Sequence, residues 1–148
     1  MLKNKFSLIA ATLAFAIVSC QTNMHVIPES MLSAKEHRKA IVAAFGDPRL
    51  ISQNGREVYS HYHDKKFKFI DEPTNVDIRY VTKTSILGAR RPYDVAVEVR
   101  TEQKEPGSKQ FLDSGLDDSL SQKRLQELRK VLNQSRENSQ EFDVENTF

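Results

Sequence analysis

"YDVAVEVRT", residues 93–101, places a valine at every second position from Val95 to Val99. Val95, Val97 and Val99 fall on one face, with Glu98 and Arg100 on the other. A half-buried antiparallel strand has this period of two, because successive side chains leave the backbone on opposite sides, one toward a core and one toward water. Upstream, "VDIRYVTKTSI" (76–86) repeats the pattern, with Ile78, Tyr80, Thr82, Thr84 and Ile86 on one face. "REVYSHYH" (56–63) does so again, Val58, Ser60 and Tyr62 opposing Tyr59, His61 and His63. The Asn-Gly of "SQNGRE" (52–57) predicts a tight turn that pairs residues 50–52 with 58–62. "HDKK" then turns the chain into "FKFI".

Ahead of these strands, "SAKEHRKAIVAAFGDP" (33–48) carries the marks of a helix at both ends. Ser33 followed by Glu36 is a capping box, in which each side chain satisfies a backbone N–H that the first turn leaves open. Ala34, Ile41, Val42 and Phe45 form an apolar face, with Lys35, His37, Arg38 and Lys39 mostly away from it. Gly46 and Pro48 stop the helix. Phe45 is expected to point into the sheet. The fold class that follows is α+β: two layers, an N-terminal helix on a three- to four-stranded antiparallel sheet, with a C-terminal helix.

The flanks read differently. "QTNMHVIPESM" within residues 20–32 lacks an apolar period and contains Pro28, which predicts a tether ahead of a domain at 33–101. "EQKEPGSKQFLDSG" within 102–115 is rich in charge, Gly and Pro and reads as a linker. Residues 116–136 follow as a helix, Asp117 or Asp118 at its N-cap and Leu125, Leu128 and Leu132 in one stripe beside Val131. That stripe either packs on the sheet or serves a partner groove or self-association; two heptads are too few for a coiled coil. Residues 137–148 read as a disordered tail.

The first residues carry the most specific signal. Lys3 and Lys5 precede the apolar run 6–18, small Ser19 follows, and then comes Cys20, the one cysteine of the 148 residues. A positive start, a short apolar run and a small residue at the cut describe a signal peptide, here residues 1–19. "IVSC" resembles the lipobox of bacterial lipoproteins. The resemblance implies diacylglycerol on the Cys20 thiol, cleavage before it and an acylated amine. Several acyl chains anchor stably where one binds only marginally. Gln21 stands where many inner-membrane lipoproteins have Asp, which by the same resemblance implies the outer membrane, facing the periplasm. An uncleaved anchor or an ordinary signal peptide with a spare cysteine are the other readings.

Lys and Arg number 22 against 20 Asp and Glu, and loss of Lys3 and Lys5 balances the two signs. A nucleic-acid binder keeps a basic face, so no nucleic-acid partner is expected. Catalytic patterns are thin. His61 and His63 of "HYHD" would project from one strand face, but a catalytic zinc wants three protein ligands, and His25 and His37 lie in the tether and on the helix surface. Ser52, Ser60 and Ser85 lack a nucleophile-elbow context. Arg90 and Arg91 of "ILGARRPYD" are either a site for an anionic headgroup or partner, or solvated. No enzyme, metal or cofactor is expected.

"FGDP" closing a helix, then "NGREVYSHY" entering a strand, is similar to the BamE/SmpA-type outer-membrane lipoproteins, over about residues 33–70. The family's Gly-Met-Thr-like helix opening is replaced by "MLSAKE", and its usual Trp is missing. The resemblance implies a non-enzymatic envelope protein supporting β-barrel assembly or envelope integrity through protein partners. The alternatives are a lipoprotein subunit of a secretion or motility apparatus, and a periplasmic hydrolase or metal-binding protein built on His61 and His63.

Overall fold

The computed structural model describes residues 25–145; residues 1–24, which include Cys20 and the segment read as a signal peptide, and the last three residues lie outside it. The order is β1 (His25–Ser30), α1 (Ala34–Phe45), β2 (Leu50–Ile51), β3 (Glu57–Tyr59), β4 (Ile78–Leu87), β5 (Tyr93–Lys104), β6 (Phe111–Leu116) and α2 (Asp118–Glu145). The fold is α+β as expected, but the antiparallel sheet has six strands instead of the expected three to four, because edge strands β1 and β6 add to it, in the order β1-β5-β4-β3-β2 with β6 also on β5.

The alternating strands form the centre. β4 and β5 pair over ten residues, with Thr82 opposite Val99, Thr84 opposite Val97 and Ile86 opposite Val95. Cross-strand partners share a face, so one sheet face is apolar and both helices cover it. Ala40 and Ile41 of α1, Val58, Val95 and Val97 of the sheet, and Leu125, Leu128 and Leu132 of α2 make one core. A smaller core of Tyr80, Val99 and Leu120 lies toward the other end of the sheet. The opposite face is a charge ladder: Arg79 pairs with Glu102, Lys83 with Glu57, and Arg100 with Asp113. Arg79 is also held between the rings of Tyr62 and Phe111, at 3.8 and 3.7 Å.

α1 has both caps expected from its sequence. Glu36 N–H donates to Ser33 Oγ, Ser33 N–H donates to the Glu36 carboxylate, and Gly46 closes the last turn at φ +83° with its N–H on Val42 O. β2 and β3 pair around the Asn-Gly turn, Leu50 opposite Tyr59.

Four expectations need correction. The tether is not free of structure: residues 25–30 form β1, with Val26 opposite Ala96 and Ile27 opposite Val95. The first element is therefore a strand, and α1 follows it. Pro28 is tolerated because it lies on an edge strand where the register shifts. Nor is 102–115 a linker. β5 runs to Lys104, and Glu105-Pro-Gly-Ser108 is a hairpin turn with Gly107 at φ +76°. Proline second and a left-handed glycine third suit a type II turn, and β6 returns along β5. The helix expected at 116–136 starts at Asp118 and extends to Glu145, into the segment read as a disordered tail. Lastly, His37 is not on the helix surface. It is fully buried, with Nδ1–H donating to Ser33 O at 2.9 Å and Nε2 accepting from Ser30 Oγ at 2.8 Å, which ties α1 to β1.

β1 and β6 share one edge of β5, because β4 occupies the other. Between them Val99 has no strand partner on that edge among the described residues, and the start of α2 supplies its hydrogen bonds. Asp117 N–H donates to Val99 O at 2.8 Å, and Val99 N–H donates to Ser121 Oγ at 2.8 Å. Every buried backbone group needs such a partner, so α2 is joined to the sheet by hydrogen bonds as well as by leucines. Asp117 caps it, accepting from Leu120 N–H at 3.0 Å.

Candidate functional site

Where α1 ends, the chain makes room. Gly46 and Pro48 stop the helix short of the sheet's end, and residues 60–69 fold back beside β3 and β4 as an irregular loop. Between this loop, the end of α1 and the first turns of α2 lies a cleft of about 350 Å³, lined by Phe45, Gly46, Asp47, residues 60–63, Phe67, Phe69 and Arg124. Pockets for small organic ligands begin near this size.

The loop is organised by Asp64. Its Oδ1 accepts from the N–H groups of Lys66 and Lys68 at 2.7 and 2.9 Å, and its carbonyl accepts from Phe67 N–H at 3.0 Å. These backbone bonds hold its carboxyl below the usual carboxylate range. Phe67 is thereby held at φ +62°, an uncommon conformation for a bulky side chain. Its ring stands 5.3 Å from His63 and 3.8 Å from the Arg124 guanidinium.

The structure separates the two histidines. His61 is exposed, edge-on to Phe69 at 5.3 Å. His63 is buried, its Nδ1–H donating to Asp64 O and its Nε2 accepting from Thr82 Oγ1, both at 2.9 Å. These partners assign the neutral Nδ1–H tautomer. Burial pushes the His63 imidazole below its ordinary value, and His37 likewise. With both ring nitrogens used inside the fold, His63 does not converge with His61 on an ion. Among the described residues no three His, Cys, Asp or Glu side chains gather as metal ligands.

Arg124 is the residue that sequence reasoning missed. Its side chain is only 8% exposed, Nη1 donates to Glu127 at 2.8 Å, and Nε is buried without a partner. The guanidinium lies over Phe67 and, at 4.8 Å, Phe45. Burial lowers its pKa, though an arginine remains charged. The signal was present: Ser121, Arg124 and Leu128 are spaced three and four apart, on the buried face of α2. Phe45, expected to point into the sheet, is half-buried between the core's edge and this cleft.

Arg90 and Arg91 lie exposed at the tip between β4 and β5, steadied by Arg56, which donates to the carbonyls of Gly88 and Ala89. Cys20 falls outside the described residues. No helix among the described residues is long and apolar enough to cross a membrane. No family model matches the chain, and neither a curated protein nor a solved structure matches it.

Proposed function

We propose that this chain is a lipid-anchored envelope protein, held at the periplasmic leaflet of the outer membrane by an acylated Cys20. It supports β-barrel assembly or envelope integrity through protein contacts and is not an enzyme. The observation that carries the reading is the lone cysteine in "IVSC", at the end of a Lys-flanked apolar run too short to span comfortably. The fold adds a geometric consequence. His25 is the first described residue and already lies in β1, so at most residues 21–24 separate Cys20 from the sheet. The five residue steps from Cys20 to His25 reach at most about 18 Å, which keeps the domain against the bilayer surface.

Partner contact is supported by apolar side chains that the fold leaves uncovered. Leu50 and Ile51 of the outermost strand and Phe69 of the loop are 52, 44 and 54% exposed. The α2 stripe is not free for a partner, because Leu125, Leu128 and Leu132 are spent in the core.

The test is intact mass of the mature protein, together with detergent partitioning of wild type and Cys20→Ala. An acylated mass beginning at Cys20 is expected, with loss of mature membrane-bound protein in the variant and a folded domain in both. A mature mass without acyl chains would refute the anchor. Co-purification of the lipidated protein with an outer-membrane assembly component is the expected second result; failure to retain any such component would refute the assembly role.

A further inference from the structure

Arg124 is costlier than its structural duties require. A buried ion pair can often be replaced by apolar side chains of similar size at no loss of stability. Yet a guanidinium stands there, nine-tenths buried, with one donor on the carboxylate of the half-exposed Glu127 and Nε without an acceptor. This guanidinium is part of the wall of an open cleft that also carries the rings of Phe45, Phe67 and Phe69, with residues 46–47 and 60–63 completing it.

We propose that this cleft binds a small organic carboxylate with a ring-sized apolar body. The body lies among Phe45, Phe67 and Phe69, and the carboxylate is met by Arg124. The guanidinium fork matches a carboxylate's two coplanar oxygens, and such charge-assisted pairs are the strong ones. Offset or edge-to-face contacts between rings suit an aromatic body, and a volume of about 350 Å³ has room for one ring with a short acidic arm. Two carboxylates lie close. Asp47 is exposed, so water screens it. Glu127 shares Nη1 and would compete with the ligand, which makes it a control on affinity. Phe67 is held in its uncommon backbone conformation by the Asp64 turn, and this keeps its ring on the guanidinium instead of in water. The inference is independent of the lipid anchor.

The experiment is a nuclear magnetic resonance titration of the purified full chain, in non-ionic detergent, with phenylacetate and with its uncharged counterpart 2-phenylethanol. Saturable shifts are expected at His61, Phe67 and Phe69, with phenylacetate about tenfold tighter than the alcohol. Arg124→Met should abolish that preference while still admitting the alcohol. Glu127→Gln, which removes the competing negative charge beside Nη1, should tighten phenylacetate severalfold. If Arg124→Met fails to fold, the wild-type preference and the Glu127→Gln response decide between the outcomes. Absence of saturable shifts, equal affinity for acid and alcohol, or weaker phenylacetate binding by Glu127→Gln would each overturn the proposal.

Discussion

Thr82 and Thr84 lie two apart on β4, face the same core and are both buried, yet their hydroxyls have opposite fates. Thr82 Oγ1 donates to His63 Nε2. Thr84 Oγ1 is buried without a hydrogen-bond partner, beside a void of about 10 Å³ walled by Ile41, Val58 and Thr82. An unsatisfied buried hydroxyl costs about 1–3 kcal/mol, whereas valine has the same shape and no such group. Thr84→Val is therefore expected to stabilise the protein by about 1 kcal/mol. Thr82→Val leaves His63 without its donor and is expected to destabilise by a similar amount. Urea midpoints of the two variants against wild type check the pair. The same sign for both would mean that the Thr84 hydroxyl has a partner after all.

α2 contributes as many residues to the main core cluster as the sheet it covers, three each. Leu128 is fully buried, in contact with a cluster that includes residues of α1, β3 and β5. Leu128→Ala is expected to cost about 2–5 kcal/mol in the purified protein, as deletions of core leucines do. A helix reserved for partners would show no such loss, so an unchanged unfolding midpoint would return α2 to an interaction role. The region 33–101 alone lacks this helix, β1 and β6. It exposes Ile41, Val95 and Val97, and circular dichroism of that fragment is expected to show an unfolded chain. Both strands were hard to see for one reason. An edge strand can be held by the backbone groups of its neighbour, so β1 with Pro28 and β6 after Pro106-Gly107 lack an apolar alternation of their own.

Across the whole molecule, two buried histidines set the response to acid. His37 ties β1 to α1, and His63 ties the loop to β4; burial lowers the pKa of both. In the unfolded chain each titrates near 6.5. Below that pH the unfolded state takes up protons that the folded state refuses. Stability is thus full above about pH 6.5, falls as the pH drops toward the folded-state values, and levels off beneath them. Urea midpoints should decline between about pH 7.5 and about pH 5.5, and a His37→Gln, His63→Gln double variant should respond less. A flat wild-type profile over that window would contradict the burial account. The acidic groups with lowered pKa, Glu36, Glu57, Asp64 and Asp113, are mostly exposed and act only at lower pH.

What the sequence determined by itself was local: the Ser33–Glu36 capping box, the Gly46 stop, the Asn-Gly hairpin, and the valine alternation of β5 opposite the threonines of β4. Each of these is decided by a few neighbouring residues, through caps, turns and a side-chain period. Tertiary structure alone decided which edges of β5 were filled, by β1 and β6. It also decided that His37 is buried against Ser30, that His61 and His63 part company, and that Arg124 meets Phe45 and Phe67 at the cleft. Most of those outcomes join residues tens of positions apart, and even His37 and Ser30, seven apart, belong to different elements. Their partners are chosen by which backbone groups and apolar faces remain unsatisfied once the central strands have paired, and no local pattern records that.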